Sequence, residues 1–86
     1  MLQIRGFVAV AEEAHVGRAA EKMRLAQPAL SRHIRALEDE LGTALFTRTP
    51  RGMTLLPAGA TFLEHAREIL ARVEAAALAV KPTSRR

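Results

Sequence analysis

The stretch Ala19-Ala20-Glu21-Lys22-Met23-Arg24-Leu25-Ala26-Gln27-Pro28-Ala29-Leu30-Ser31-Arg32-His33-Ile34-Arg35-Ala36-Leu37 constrains the fold most, because it reads as two amphipathic helices separated by one tight turn. That pattern is a helix-turn-helix. In its second helix Leu30, Ile34, Leu37 and Leu41 share one apolar stripe. Ser31, Arg32 and Arg35 face away from that stripe, and Gln27 and Pro28 stand at the helix start. A helix that only fills a core has no use for hydrogen-bond donors on its first turns. Reading base edges in a major groove does, because the N-terminal part of a recognition helix is the part that enters the groove.

The 86 residues allow one small domain, whose single core is marginal unless disulfides, a metal or association add stability. There is no cysteine. Disulfides and thiolate metal sites are thereby excluded, dimerisation is the expected source of stability, and a reducing cytoplasm fits. No run approaches the roughly 20 apolar residues of a membrane span, and the N-terminus lacks the basic-then-apolar order of a secretory signal. A soluble chain without a membrane partner is expected. Thirteen Lys and Arg against nine Asp and Glu leave a net charge of +4, with a pI of about 11.1. Arg18, Lys22, Arg24, Arg32 and Arg35 lie in the motif opposed only by Glu21, Arg48 and Arg51 follow, and Glu38, Asp39 and Glu40 gather at the far end of the recognition helix. Such polarity suits a phosphate backbone. An ordinary solvated helix surface is the alternative that charge alone leaves open.

Around the motif, Ile4, Phe7, Val8 and Ala11 recur at helical spacing and predict a first helix over about Gln3 to Ala14. His15, Val16 and Gly17 interrupt it before a short helix from Arg18 to Arg24, whose Ala19, Ala20 and Met23 let a crossing helix approach closely. Pro28 fits the first turn of the recognition helix, and Gly42 closes it after Leu41. Leu45-Phe46-Thr47-Arg48 and Met53-Thr54-Leu55-Leu56 flank the breaker run Thr49-Pro50-Arg51-Gly52, which predicts a short hairpin with an arginine at its tip. Beside a helix-turn-helix this is a wing. An irregular loop over the core is the alternative.

Pro57 opens a last helix running to about Val80, roughly 36 Å long at 1.5 Å per residue. Phe62, Ala66, Ile69, Val73, Ala76 and Val80 alternate four and three apart, with Leu63, Leu70 and Ala77 in a column beside them. A domain this small cannot bury both columns along that length, so one is expected on the domain body and the other on a partner chain. The dimerisation set is accordingly Phe62, Ala66, Ile69, Leu70, Val73, Ala76 and Val80. A frayed alanine-rich tail is the competing reading. The chain divides into a winged helix-turn-helix over 1–56, the long helix over 57–80, and the start of a linker or a fragment end over 81–86.

The chain resembles the N-terminal DNA-binding domain of LysR-type transcriptional regulators over essentially its whole length. The resemblance rests on Phe7-x-x-Val10-Ala11-Glu12, Ala19-Ala20, Gln27-Pro28-Ala29-Leu30-Ser31-Arg32-x-Ile34, Leu37-Glu38-x-x-Leu41-Gly42, Leu45-Phe46-x-Arg48-x-x-Arg51-Gly52 and Ala58-Gly59. It implies a mainly α fold, a winged helix-turn-helix followed by a linker helix that pairs in a homodimer, with higher oligomers in the full-length regulator. It also implies that the chain is a piece of a longer cytoplasmic protein whose remaining C-terminal part binds a small-molecule inducer. Carried over by position, base reading falls on Gln27, Pro28, Ala29, Ser31 and Arg32, a wing contact on Arg51, and phosphate contact near Arg18. The chemistry agrees, since Arg32 suits guanine, Gln27 adenine, Pro28 with Ala29 a thymine methyl, and Arg51 a narrow minor groove. Arg35 and Arg48 complete the set expected to meet operator DNA.

The chain departs from the family pattern in three places. His15 and Gly17 stand where Ser and Thr are usual, Leu56 replaces the usual Thr before the last helix, and Ala26 replaces a common Ser. Each removes a hydroxyl that would cap a helix.

An enzyme is not expected, because His15, His33 and His65 lie in different elements and no nucleophile or carboxylate pair has a catalytic spacing. Glu64, His65 and Glu68 could suggest a metal, but read better as a solvated face. Gly42, Gly52 and Gly59 have turn or packing roles rather than forming a phosphate loop. No cofactor is expected. A protein-interaction module built on the long helix, and sequence-independent DNA coating, are the remaining alternatives; salt dependence and competition by unrelated DNA separate them.

Overall fold

The apolar periodicities become α1 (Leu2–Glu13), α2 (Val16–Met23) and α3 (Gln27–Leu41), then a hairpin of β1 (Phe46–Thr49) and β2 (Gly52–Leu55), and finally α4 (Pro57–Val80). This computed structural model describes residues 2–82, so most of the tail expected over 81–86 lies outside the described residues. The architecture is mainly helical, with the antiparallel hairpin attached as a wing. Its register pairs Phe46 with Leu55, Thr47 with Thr54, Arg48 with Met53 and Thr49 with Gly52, leaving Pro50 and Arg51 at the tip.

The core is built around Phe7. Its ring lies 5.3 Å from that of Phe46 and meets Phe62 edge-on at 5.1 Å, so all three aromatic side chains of the sequence converge. They come from α1, β1 and α4, which ties the helical body, the wing and the long helix together. Each such pair adds about 0.5–1.5 kcal/mol beyond the area it buries. Val10, Ala19, Ala20, Leu30, Ile34, Leu37 and Leu45 fill the rest. A Cβ on Gly59 would strike the Leu45 carbonyl oxygen, so only glycine there lets the first turn of α4 sit against the start of the wing.

Glu38 fastens the wing from the other side. Its Oε2 accepts the N–H groups of Leu45 at 2.7 Å and Phe46 at 3.2 Å, the two buried residues where the chain enters β1. Grouped by charge alone, Glu38 belongs with Asp39 and Glu40; here it is a structural acceptor. At the other edge of the hairpin Met53 donates its N–H to the Ala14 carbonyl at 3.1 Å.

Several expectations require correction. The second helix begins at Val16, not Arg18, because His15 caps it: the backbone is extended at φ −160°, ψ 119°, and Nδ1 accepts the Arg18 N–H at 3.2 Å. A histidine thus does the work of the missing hydroxyl. Leu41 is not part of the core but 43 % exposed. The last turn of α3 runs past the body, and Leu41 rims a shallow apolar depression with Leu45, Ala58, Phe62 and His65.

Phe62 and Ala66 are not free for a partner chain. Phe62 packs on Phe7 and Ala66 has no exposed surface. The apolar column of α4 therefore divides along its length: the first turns serve this chain's own core, whereas Ile69 is 38 % and Val80 82 % exposed. Leu56 and Ala26 cap nothing with their side chains, and proline in the first turn of both α3 and α4 removes one N–H that would otherwise want a partner.

Candidate nucleic-acid interface

The turn between α2 and α3 is set by Arg24, left-handed at φ 58°. The N–H of Arg24 reaches the Glu21 carbonyl at 3.1 Å, and that of Leu25 reaches the Ala20 carbonyl at 2.9 Å. These bonds close α2 in a Schellman-like turn and bring the start of α3 to the surface. Gln27 and Pro28 are exposed there, Ala29 and Ser31 half-buried, and Arg32 and Arg35 exposed on the outer face. The helix begins without a side-chain cap, so the positive end of its dipole is offered to solvent.

The wing stands beside this helix start. Arg51 at its tip and Arg48 on β1 are both exposed. The tip is held by the Thr49 hydroxyl, which donates to the Gly52 carbonyl at 3.1 Å and accepts from the Arg51 N–H at 3.2 Å. Arg48, Thr49 and Pro50 share a cleft of about 220 Å³ with His15, Gly17 and Gln27, which joins the wing to the first residue of α3.

Arg18 is exposed but not idle. Its guanidinium donates to the Glu13 backbone carbonyl at 3.2 Å and lies 3.8 Å from the Glu13 carboxylate, whose other oxygen takes Lys22 Nζ at 3.1 Å. Exposed pairs of this kind are worth about 0–1 kcal/mol. A phosphate can therefore compete for Arg18 at little cost.

The structure thus places Gln27, Pro28, Ala29, Ser31 and Arg32 on the first turns of α3 and Arg48 and Arg51 on the wing, joined by the cleft that Gln27 and Arg48 share, with Arg18 at the start of α2. Asp39 and Glu40 lie at the opposite end of α3. His15, which the motif marks only as the loss of a usual hydroxyl, is at the centre of this surface, lining the clefts on both sides of Gln27. Its signal was local: a polar ring at an N-cap position three residues before the N–H it takes.

The other candidate surface is the distal part of α4. Leu70, Val73 and Ala77 form, with Arg5 of α1 and with Arg67 and Glu74, a groove of about 440 Å³. Ile69, Ala76 and Val80 are exposed along the same helix. Among the described residues, no three His, Cys, Asp or Glu side chains are grouped to hold a metal ion, and no helix is long and apolar enough to cross a membrane.

Residues 1–60 match the family model for bacterial regulatory helix-turn-helix proteins of the lysR family. The chain is 47 % identical over 83 residues to the HTH-type transcriptional regulator ClcR of Pseudomonas putida, covering 96 % of this chain and 28 % of that protein. It is 54 % identical over 68 residues to TfdS of Cupriavidus pinatubonensis, covering 79 % of this chain and 23 % of that regulator. The chain thus spans about a quarter of the length of these relatives. Among solved structures, it superposes on the crystal structure of the CbnR DBD–DNA complex with a TM-score of 0.84 at 40 % identity, covering 86 % of this chain and 85 % of that one. On a BenM DBD/benA site 1 DNA complex the TM-score is 0.80 at 43 % identity, covering 84 % of both chains.

Proposed function

Because the chain belongs to the lysR family of bacterial regulatory helix-turn-helix proteins, we propose that it is the operator-reading part of a longer transcriptional regulator and binds duplex DNA sequence-specifically as a dimer. The observation that carries this reading is the cleft in which Gln27 at the α3 start meets Arg48 of the wing, with Arg32 exposed on α3 and Arg51 exposed at the wing tip. In the proposed complex the first turns of α3 enter a major groove. Arg32 takes guanine bidentately, Gln27 takes adenine, and Pro28 and Ala29 meet a thymine methyl with Ser31 beside them. Arg51 enters the minor groove, and Arg18, Arg35 and Arg48 neutralise phosphates.

Residues 1–56 form the reading head in this scheme and 57–80 the dimer helix. The seam is Ile69, Leu70, Val73, Ala76 and Val80, with Phe62 and Ala66 withdrawn to the core. A two-fold pair reads an interrupted palindrome. The relatives are transcriptional regulators, and the small-molecule inducer is assigned to the part of the protein beyond this chain. Selection of bound fragments from random duplex DNA tests the reading. Recovery of a palindromic consensus supports it; uniform recovery, competed equally by unrelated DNA, refutes it.

A further inference from the structure

Glycine in the first turn of a short helix is disfavoured relative to alanine, so Gly17, the second residue of α2, calls for a reason. Two other side chains occupy the space its own would fill. An added Cβ would lie 2.9 Å from Cε1 and 3.2 Å from Nδ1 of His15, and 3.3 Å from Oε1 of Gln27. The His15 ring is there because its Nδ1 caps the helix by accepting the Arg18 N–H, which places the ring proton on Nε2. The capping ring and the bare glycine are one device. Gln27, the first residue of α3, rests against it.

These three residues also form the partition between two clefts. One continues along α2 past Arg18 and Glu21; the other opens towards Arg48, Thr49 and Pro50 of the wing. Gln27 therefore leaves the protein between the two surfaces assigned to phosphate and groove contact. A glutamine that pairs bidentately with adenine has to present Oε1 and Nε2 together in the plane of the base, and a displacement of a few tenths of an ångström at its root spoils that fit.

We propose that His15 and Gly17 are positioning residues for base reading: together they seat the Gln27 side chain and so set the base preference at the pair it meets. The proposal rests on the reading of Gln27 as a base contact. The specificity of this chain then depends on two residues that need not touch a base themselves. A side chain at position 17 would push on the cap and on Gln27 at once.

Gly17→Ala is the direct test, since alanine is tolerated in a helix and the substitution leaves every charge in place. Two readouts are taken: the side-chain amide resonances of Gln27 in the free chain, and binding to a consensus site varied one base pair at a time. In Gly17→Ala the Gln27 amide resonances should shift, and discrimination at one base pair should fall from about tenfold or more to near onefold. Preference elsewhere and the salt slope should stay as they were. In a Gln27→Ala background the same substitution should leave base preferences unchanged.

Unmoved Gln27 resonances, an equal loss of affinity on all sequences, or a preference change that persists without Gln27 would each overturn the proposal. If the unmodified chain selects no sequence at all, the base-reading role of Gln27 fails and the proposal falls with it. That outcome is distinct from the other three, which require a selective parent.

Discussion

Replacing Ala14 with glycine should stabilise this chain, although glycine usually weakens a fold. Ala14 follows α1 at φ 56°, in the left-handed region, where a side chain crowds the backbone at a cost of about 1–2 kcal/mol. Glycine removes that cost but returns about 0.4–1 kcal/mol through the greater freedom of its unfolded chain. The balance is a gain of about 0–1.6 kcal/mol, centred near 0.8 kcal/mol. Ala14 is exposed, so the lost methyl opens no cavity. Its carbonyl, which takes the Met53 N–H, keeps its direction because glycine retains the same φ. In a domain of about 60–100 residues 1 kcal/mol moves Tm by about 4–8 °C, so a rise of about 3–6 °C is expected from the central value in thermal unfolding followed by circular dichroism. Protein concentration is held fixed, since association shifts Tm as well. The companion variant is Gly52→Ala, at φ 142° with its Cβ driven into that same Ala14 oxygen, and it should melt several degrees lower. A fall in Tm for Ala14→Gly would refute the reasoning, because it would mean that the left-handed residue carries no strain to relieve.

Three further outcomes follow from the same geometry. Arg32→Ala should cost about 1–3 kcal/mol on the consensus and relax preference at one base pair, whereas Arg18→Ala should weaken all sequences alike and lower the salt slope by about one; titrations at several salt concentrations separate them. Glu38→Ala should destabilise by about 1.5–3 kcal/mol, the range for hydrogen bonds to a charged group, and Glu38→Gln, which keeps an acceptor, by less; urea unfolding of the two reads the difference. Val73→Glu should reduce affinity for a full palindrome far more than for a lone half-site, because it places like charges in the seam; sedimentation with both binding constants checks it, and an undisturbed dimer would count against the seam.

How much of this was legible in the sequence depends on the range of the signal. Pro28, Gly42, Pro57 and the breaker run Thr49-Pro50-Arg51-Gly52 act on their own backbone, and the elements they bound lie within a residue or so of where local chemistry puts them. Leu30, Ile34 and Leu37 were readable as core because a helix repeats itself. Leu41 obeys the same period yet is exposed, since periodicity assigns a face and not whether another element extends that far. Phe62 and Ala66 fail in a related way: heptad spacing cannot say which partner a stripe meets, and here the first turns meet Phe7 of the same chain. His15 does not stand out as a cap in the sequence because a hydroxyl is the usual acceptor there, yet its imidazole nitrogen accepts the same N–H. Glu38 looked like one of three surface acids, and only the return of the chain at Leu45 gives it its two donors.

The inward turn of Phe62 and Ala66 also limits how two copies can associate. What remains open on α4, residues 69–80, is about 18 Å of helix, less than two heptads, whereas a self-sufficient coiled coil takes three or four. A zipper of these residues alone would be too short to hold a dimer. In the proposed dimer the partner has to use more of the surface, and the groove that Arg5 of α1 shares with Leu70, Val73 and Ala77 is where additional apolar contact is available. An association drawing on α1 as well as α4 reaches the elements that pack directly on the reading head. The first turns of α4 are clamped to Phe7 and to the wing at Gly59, so no flexible joint separates seam from head. In the proposed dimer the distance between the two α3 helices is then set by rigid packing, and the operator half-sites should tolerate substitution between them far better than insertion or deletion of a few base pairs.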